Sequence, residues 1–485
     1  MTNTAQVIGG KTFSGEDQKL FAWISGDRNP MHMDPVAARR LITGRQVVHG
    51  IHVLLQALEF WRPDMTAPLV SIACTFNNPL SVGDPAVYRQ SFSTGNTWTI
   101  EVMTGGLLCA QITLAQKRAT AEGLPSIADD TAATPAQSQL HILQHTEQPL
   151  DQTPEFHHAK LYALTPVASD VSKHFPHSNH FLGYEGLTSM LALSYFVGMV
   201  CPGLNSVFSS LSVDAIGSSS RDNQLLFSIA KYDPRFRLFN IHFRGVIEGS
   251  IKAFFRPPPQ SQTSLQSLAQ HVDAEEFKGS RALVIGGSRG LGEATAKILA
   301  AGGANVIISY ATGFDDAMAT CDEINTAARS HCRVLRLDVT VDAFESVDLD
   351  WDTLDTIYFF ATPRIFRKKA EVFDVELFQE FCNFYAAKFY AMCVFLENTL
   401  TKGKVKVYFP STVFIDERPK GMAEYAMAKA SAEILVQEIN RSFRKLAVTS
   451  TRLPRLSTDQ TTSIASVSSA SNTETLLPLV RSLQT

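Results

Sequence analysis

Residues 25–32 read Ser-Gly-Asp-Arg-Asn-Pro-Met-His, and residues 47–50 read Val-Val-His-Gly. The Asn-Pro step ends any preceding helix and favours a sharp turn, so that Asp27 and His32 can converge. A carboxyl group and an imidazole this close can share one water molecule, one group taking a proton while the other gives one. The apolar run after Gly50 predicts a helix whose first N–H lies where the helix dipole favours a developing oxyanion. The pattern indicates a site that adds or removes water beside a carbonyl group.

This stretch resembles the MaoC-like (R)-specific enoyl-thioester hydratases, which have the hotdog fold. The resemblance begins at residues 13–17, Phe-Ser-Gly-Glu-Asp, and runs to Gly50. It implies that Asp27 and His32 are the hydratase pair. It also implies that Asn29 shapes the turn and that Gly50 supplies the oxyanion contact. The alternative is a helix-capping turn beside a buried histidine, but a cap does not require the His-Gly step that follows.

The composition of the chain limits the number of domains and the kinds of partner that it can have. A chain of 485 residues with 45% apolar and 19% charged residues suggests about three domains with full cores. A net charge of −4 and the lack of a Lys/Arg-rich run argue against nucleic acid as a partner. The seven scattered cysteines indicate reduced thiols, and no metal is expected. The start of the chain lacks a signal-peptide pattern, and the longest apolar stretch, residues 190–204, is too short for a bilayer. We therefore expect a cytoplasmic protein without membrane insertion, and a homo-oligomer is possible.

Two polar segments divide the chain. Residues 118–156 are rich in Ala, Thr, Ser, Gln and Pro and predict a flexible linker. Residues 257–278 begin with three prolines and predict a second linker, with a short helix around residues 265–272. The domains predicted on this basis are a catalytic hotdog at 1–117, a second and degenerate hotdog at 157–256, and a third domain at 279–485.

The first two domains repeat one architecture. Gly50 and Gly186 each precede an apolar helix, a break containing proline, and strand-like runs at residues 98–114 and 238–254. These features predict an α+β double hotdog, in which open strand edges of the two repeats pair as a pseudo-dimer inside one chain. The second repeat lacks the turn with Asp and His. Its counterpart, residues 169–180, is expected to border the neighbouring active site.

The third domain has a different pattern. An apolar strand at residues 282–285 leads into residues 286–292, Gly-Gly-Ser-Arg-Gly-Leu-Gly, and then into an Ala-rich helix. Glycines in this position allow a tight turn and close approach to a pyrophosphate. Further apolar strands follow, and Tyr425 and Lys429 are four residues apart, so they share one helical face. We expect a doubly wound α/β fold of the Rossmann type, with a phenol whose pKa the nearby ammonium lowers.

Residues 279 to about 460 resemble the short-chain dehydrogenase/reductases, especially 3-oxoacyl-thioester reductases. The resemblance implies that Tyr425 is the proton donor and that Lys429 holds the nicotinamide ribose. Asn383 matches the family's helix asparagine, and Thr412, with Ser411 beside it, matches the hydroxyl that orients the substrate carbonyl. The cofactor contacts implied are those of the glycine loop, the third strand and the lysine: Gly286, Ser288, Arg289, Gly290, Leu291, Gly292, Asp338, Val339 and Lys429.

Three departures from that family leave an inactive, cofactor-binding domain as an alternative. Residues 359–362 read Phe-Phe-Ala-Thr in place of Asn-Asn-Ala-Gly, residues 454–455 read Pro-Arg in place of Pro-Gly, and the customary final strand is missing before Thr485. The cofactor expected is NADP(H). Residues 309–311, after the second strand, carry no acid to repel a 2′-phosphate, and Arg289 is placed to meet one.

The two resemblances together predict a bifunctional enzyme acting on acyl thioesters of coenzyme A or acyl carrier protein. It would reduce a 3-oxoacyl group to the (R)-3-hydroxyacyl group and dehydrate that group to the trans-2-enoyl group, or run the steps in reverse. Two alternatives stay open. One is a monofunctional hydratase with an inactive reductase-like assembly domain, and the other is a non-catalytic acyl-binding scaffold.

Overall fold

The computed structural model describes residues 5–484 apart from 42, 64–65, 94–95, 118–138, 159, 168–169, 218–223, 328–329, 368–370, 402 and 464–466. These residues form two compact units. The first contains the described residues up to Pro258, and the second contains most of those from Pro259 onward.

The first unit is built on one antiparallel sheet of eleven strands. Its first half has the strand order β1-β3-β4-β5-β2, and its second half has the order β8-β11-β10-β9-β7, with β6 added in parallel at the edge. The strands are β1 Gln6–Thr12, β2 Leu69–Phe76, β3 Pro85–Ser93, β4 Thr97–Thr104, β5 Leu107–Gln116, β6 Gln139–Ile142, β7 Lys160–Leu164, β8 Ser206–Ile216, β9 Leu225–Asp233, β10 Leu238–Arg244 and β11 Ile247–Phe255.

The halves meet where β2 pairs with β8. This pairing is antiparallel, with Cys74 opposite Leu211 and Thr75 opposite Ser210. The two strand orders are mirror images about this seam, which confirms the predicted double hotdog and its internal pseudo-dimer. At the seam, the edge strand of each repeat pairs with that of the other and is not left exposed.

Helices cover this sheet. They are α1 Gly15–Ser25, α2 Pro30–Met33, α3 Pro35–Ala38, α4 Gly50–Phe60, α5 Val171–His174 and α6 Pro176–Tyr195, which continues as a π-helical segment, Phe196–Val200. In α4 the fully buried Leu54, Leu55 and Leu58 recur at helical spacing and pack into the core. At the end of α4, Glu59 accepts the backbone N–H of Ser178 at 2.8 Å, so the central helices of the two repeats are also tied together.

One expectation about the second repeat was wrong. Gly186 does not begin its helix, because it lies inside α6. The break falls three residues earlier at Gly183, whose φ of +68° is a conformation that residues with a side chain rarely adopt.

The second unit has a parallel sheet of six strands in the order β14-β13-β12-β15-β16-β17. The strands are β12 Arg281–Ile285, β13 Asn305–Tyr310, β14 Cys332–Arg336, β15 Thr356–Phe359, β16 Val405–Thr412 and β17 Leu446–Leu453. Its helices are α7 Leu265–Leu268, α8 Gly290–Ala301, α9 Phe314–Ala327, α10 Val375–Cys382, α11 Phe389–Thr399, α12 Phe414–Glu417, α13 Ala423–Ser442 and α14 Asn472–Gln484, with a π-helical segment, Asn383–Lys388, between α10 and α11. Two separate apolar cores line the sheet, which confirms the doubly wound α/β fold.

The described parts of the two predicted linkers are more ordered than their composition indicates. Of residues 118–156, the part 118–138 lies outside the described residues, but the remainder includes β6 and a backbone bond from Leu150 N–H to the Met199 carbonyl at 2.9 Å. In 257–278, the helix α7 forms where a short helix was expected, and Leu268 and Phe277 are buried in the second unit's core. Backbone pairing and a few apolar anchors order segments that read as polar connectors.

Across the described ranges, no helix combines the length and the apolarity that crossing a bilayer requires.

Candidate active sites

The turn after α1 brings Asp27 and His32 together. Helix α1 ends at Gly26, whose φ of +76° turns the chain. The side chain of Asn29 then caps α2, because its Oδ1 accepts the Met31 N–H at 3.1 Å. As a result, Asp27, His32 and His49 each place one oxygen or nitrogen atom within 4.8 Å of the other two. The convergence expected from the Asn-Pro step is present.

The hydrogen bond of His32 fixes which of its nitrogens is free. Nδ1 lies 2.8 Å from the carbonyl oxygen of Val47, and a carbonyl only accepts, so Nδ1 carries the hydrogen. Burial lowers the pKa of His32, although the charge of Asp27 partly opposes this. The ring is therefore neutral near pH 7, and Nε2 has a lone pair with which to take a proton.

Asp27 is almost fully buried, with 2% of its surface exposed. Burial raises its pKa, against the opposing effects of His32 and of hydrogen bonds from Ser194 and Asn29. The Ser194 hydroxyl donates to Oδ2 at 2.7 Å. Gly198 lies against the same carboxyl group, since a Cβ atom there would be 2.2 Å from Oδ1. A carboxyl group with a raised pKa beside a neutral imidazole is a matched acid and base.

The second repeat forms one wall of this site. The Asn29 amide donates to the carbonyl oxygens of Gly198 at 2.8 Å and Gly203 at 3.1 Å. Ser194 and Gly198, described above, belong to the same stretch. The sequence pointed instead to residues 169–180 as the bordering loop. That loop contacts α4 through Glu59, while the segment after α6 turns back across the Asp27 turn.

Gly50 is the first residue of α4, as expected for the proposed oxyanion contact. A Cβ atom there would lie 2.9 Å from the Phe76 ring, so a side chain would not fit without a shift. The preceding His49 was given no role on sequence grounds. Its ring stacks on His32 at 3.9 Å, its Nε2 lies 3.0 Å from the Asp27 carbonyl oxygen and its Nδ1 lies 2.9 Å from Gln18 Oε1. Because both nitrogens face oxygen atoms, His49 positions the pair and is not free to hold a cation. The sequence feature that could have identified His49 is the His-Gly step at residues 49–50.

In the second unit, the glycine loop has the geometry of a nucleotide cradle. Gly286 and Gly290 have φ values of +78° and +61°, a region that favours glycine. A Cβ atom on Gly292 would lie 2.2 Å from the Gly286 carbonyl oxygen, so the loop closes tightly onto the start of α8. The Gly286 N–H donates to Ser309 Oγ at 3.1 Å. Ser288 and Leu291 lie within this loop, and Leu291 packs on the core.

Tyr425 and Lys429 lie together on α13, but their surroundings differ from those expected. A hydrogen bond joins Tyr425 to Thr412, which confirms their proximity. Burial nevertheless raises the pKa of Tyr425, so the expected lowering by Lys429 was wrong. The Lys429 ammonium lies 5.9 Å from the centre of the Tyr425 ring and donates to the Pro410 carbonyl oxygen at 2.7 Å. Burial also lowers the pKa of Lys429 to about 7, which weakens the charge that was to act on the phenol.

Two segments of the chain match known protein families. Residues 5–105 match the MaoC like domain family, and residues 280–468 match the short chain dehydrogenase family. The chain carries a MaoC-like domain followed by a short-chain dehydrogenase domain. The Asp27 turn lies in the first match, and the glycine loop and Tyr425 lie in the second.

Relatives are known for the MaoC-like domain. A mitochondrial 3-hydroxyacyl-[acyl-carrier-protein] dehydratase of Arabidopsis thaliana is 35% identical over 75 residues, which are 15% of this chain and 45% of that protein. A 3-hydroxybutyryl-CoA dehydratase of Methylorubrum extorquens is 35% identical over 77 residues, 15% of this chain and 49% of that protein. The chain thus spans about half the length of the curated relatives it matches. Among solved structures, a short chain dehydrogenase of Salmonella enterica covers 44% of this chain and 92% of its own, with a TM-score of 0.38 and 16% identity.

Ser411 and Asn383, also predicted as site residues, have the following surroundings. Ser411 donates to Glu433 at 2.5 Å, so its hydroxyl is occupied while Thr412 faces Tyr425. Asn383 is exposed, and the side chain beside Lys429 is Tyr385, whose ring centre is 3.8 Å from the ammonium. The π-helical turn that begins at Asn383 shifts which side chains face the site, and spacing along a regular helix does not reveal such a shift.

The remaining predicted cofactor contacts are already hydrogen-bonded or paired. Arg289 Nη1 lies 3.6 Å from the carboxylate of Asp459, a partner that the sequence did not suggest. Asp338 accepts the N–H and the hydroxyl of Thr340 at 2.9 and 2.6 Å, and Val339 is buried in the core. These contacts shape the loop ends next to the glycine cradle.

Proposed function

We propose that this chain is a bifunctional acyl-thioester enzyme. It reduces a 3-oxoacyl thioester to the (R)-3-hydroxyacyl thioester with NADPH, and it dehydrates that product to the trans-2-enoyl thioester or hydrates it in reverse. The observation that carries the proposal is the buried approach of Asp27 to His32, with Nε2 of His32 left free. The matched families and the dehydratase relatives support it.

Dehydration needs a base, an acid and an oxyanion contact. Nε2 of His32 takes the proton from C2, which the thioester carbonyl acidifies. The electron pair moves onto the carbonyl oxygen, where the N–H of Gly50 at the start of α4 stabilises the negative charge. The protonated carboxyl group of Asp27 gives its proton to the 3-hydroxyl group. The enolate then collapses, so that the thioester carbonyl and a C2=C3 double bond form while the C3–O bond breaks and water leaves. Hydration is the same sequence reversed.

Reduction is assigned to the short-chain dehydrogenase domain. The glycine loop has the tight turn that a dinucleotide site needs, because an added Cβ atom at Gly287 would lie 2.8 Å from the Ile308 side chain and one at Gly292 would lie 2.2 Å from the Gly286 carbonyl oxygen. When bound, NADPH supplies a hydride to C3. The Tyr425 hydroxyl gives the proton to the carbonyl oxygen, and Thr412 orients that oxygen. NADPH is proposed over NADH because residues 309–311 offer no acid to the ribose, and because the Arg289 guanidinium in the glycine loop, which pairs with Asp459, carries a positive charge that attracts a 2′-phosphate.

Both reactions act on one acyl group, at C3. Reduction creates the hydroxyl group that dehydration removes, and both steps need a thioester on coenzyme A or acyl carrier protein. The names of the two curated relatives include one substrate on each carrier. A single chain with both domains would convert a 3-oxoacyl thioester into the enoyl thioester.

The test is mass spectrometry of the full chain given 3-oxoacyl thioesters on each carrier with NADPH or NADH. We expect the hydroxyacyl product first and the enoyl product second. In Asp27→Asn the hydroxyacyl product should accumulate, and in Tyr425→Phe neither product should form although enoyl hydration persists. If Asp27→Asn hydrates an enoyl thioester at the wild-type rate, the site assignment is wrong.

A second candidate function is a hydratase whose reductase-like domain does not catalyse. The packing of Lys429 against the rings of Tyr385 and Phe409 favours it, since the lysine is buried with 4% of its surface exposed. Titration of the chain with NADPH, followed by cofactor fluorescence, separates the two. Binding without turnover of any 3-oxoacyl thioester would support the second candidate.

A further inference from the structure

Arg256 is a buried cation whose donors are not all used. It follows β11, its side chain is 3% exposed, and Nη2 donates to the Leu204 carbonyl oxygen at 2.6 Å. Its Nε and Nη1 are also buried, and neither finds a hydrogen-bond partner among the residues that the structure describes. Buried donors without acceptors are costly, and a buried charge without a counter-charge is more so.

This guanidinium group lies beside the Asp27–His32 site. The Leu204 carbonyl oxygen that accepts Nη2 also lies 3.4 Å from Asn29 Nδ2. Arg256 is therefore one shared acceptor away from the turn that carries the acid and the base. Its charge is felt at His32, where it adds to the burial effect that lowers the pKa of the imidazole.

The acid that attracts Arg256, Asp151, does not hydrogen-bond to its Nε or Nη1. Asp151 attracts Arg256 electrostatically, but its Oδ1 accepts the Asn205 amide at 3.0 Å. A hydrocarbon chain would leave both the free donors and the charge uncompensated. A neutral carbonyl group would satisfy a donor only. An anionic oxygen satisfies both, because charge-assisted hydrogen bonds are the strongest that arginine forms.

We propose that Arg256 binds a carboxylate on the acyl group, so that the MaoC-like domain takes thioesters of short dicarboxylic acids. This inference rests on the proposed hydratase activity and names its substrate class. The carboxylate lies at the far end of the acyl group from the thioester, with C2 and C3 between them at Asp27 and His32.

The experiment compares two pantetheine thioesters, which carry the part that coenzyme A and acyl carrier protein share. One acyl group is glutaconyl, with a free carboxylate, and the other is its monoamide, which has the same shape without the charge. Hydration of each is followed in the full chain, in Arg256→Gln, in Arg256→Lys and in Lys252→Gln. Lys252 is an exposed cation on β11, the strand that leads to Arg256, and serves as the matched control.

The wild type should prefer the carboxylate by about tenfold or more in kcat/KM. Arg256→Gln should bring the ratio of the two substrates close to one, Arg256→Lys should retain part of it, and Lys252→Gln should retain all of it. Equal rates with the two substrates in the wild type would overturn the inference, and this comparison does not depend on any variant folding.

Two other outcomes separate the inference from the proposed function. If Arg256→Gln slows both substrates by one factor, the arginine contacts the thioester or the fold rather than a carboxylate, and the inference fails while hydration stands. If the wild type hydrates neither substrate nor a plain enoyl thioester, the proposed hydratase activity itself is wrong.

Discussion

The two candidate sites differ in what surrounds their polar pair. In the MaoC-like domain, Asp27 accepts bonds from Ser194 and Asn29, and His32 donates to a carbonyl group. In the short-chain dehydrogenase domain, Lys429 lies close to the rings of Tyr385 and Phe409 and donates to the Pro410 carbonyl oxygen, and Tyr425 is hydrogen-bonded to Thr412. The Asp27–His32 pair is therefore oriented by hydrogen bonds, whereas the surroundings of Lys429 disfavour the positive charge that this residue needs.

The direction of the pKa shifts sharpens this contrast. Burial raises the pKa of Asp27 and lowers that of His32, so each shift favours the neutral form of its group, as an exchange of protons between an acid and a base requires. Burial also raises the pKa of Tyr425 and lowers that of Lys429 to about 7. A neutral phenol is a proton donor, but a lysine that loses its charge near pH 7 cannot hold ribose hydroxyls as an ammonium.

The largest effect is expected at Asp27. Asp27→Asn keeps the shape and an acceptor for Ser194 but removes the proton donor, so hydration of an enoyl thioester should fall by about 10³-fold or more. The loss of enoyl-thioester absorbance measures the rate. Tyr425→Phe is the control and should hydrate normally. A similar loss in Tyr425→Phe would mean that the two sites are not independent.

Next comes the reductase pair. Tyr425→Phe should lower the NADPH-dependent reduction of a 3-oxoacyl thioester by about 10²- to 10³-fold, measured by cofactor oxidation. In the wild type this rate should also fall as the pH rises through about 7, because Lys429 is an ammonium below its pKa and neutral above it. Asp27→Asn is the control. Reduction that stays constant from pH 6 to 9 would show that the lysine charge does not limit it.

A smaller effect is expected at the wall supplied by the second repeat. Gly198→Ala places a methyl group 2.2 Å from Asp27 Oδ1 and must displace the carboxyl group. Hydration should fall by about 10²-fold, since small misplacements of a catalytic group have effects of that order. Gly15→Ala, which meets open space, is the matched control. If Gly198→Ala hydrates at the wild-type rate, the second repeat does not position the Asp27 carboxyl group for catalysis.

The smallest effect is expected at Ser194. Its hydroxyl stabilises the charged form of Asp27, so Ser194→Ala should raise the Asp27 pKa further. Hydration should fall only about tenfold, and its alkaline limb should move to higher pH because Asp27 must be protonated to act as the acid. The pH profile of kcat, compared with Ser189→Ala on the same helix, measures this. If the rate falls but the alkaline limb of the pH profile does not move, Ser194 contributes to packing and does not tune the pKa of Asp27.

The sequence predicted the fold better than it predicted the surroundings of the sites. Strand patterns and the glycine loop indicated both sheets, and the Asn-Pro turn indicated the Asp27–His32 approach, because these features are local. Ser194, Gly198 and Arg256 were missed, since they reach the turn from well over 150 residues away along the chain. Asn383 is exposed while Tyr385 lies beside Lys429, and the π-helical turn that begins at Asn383 has no signature in residue spacing.

The seam between β2 and β8 has a consequence for how the protein behaves on dilution. Two separate hotdog chains would fall apart below their dissociation constant and lose any site that they share. Here the peptide chain keeps the partners at a high effective concentration however dilute the solution, so activity per molecule should not depend on protein concentration. Because the two repeats are parts of one chain, they need not have identical sequences, as the subunits of a homodimer must. One repeat can therefore carry the reacting groups while the other encloses them.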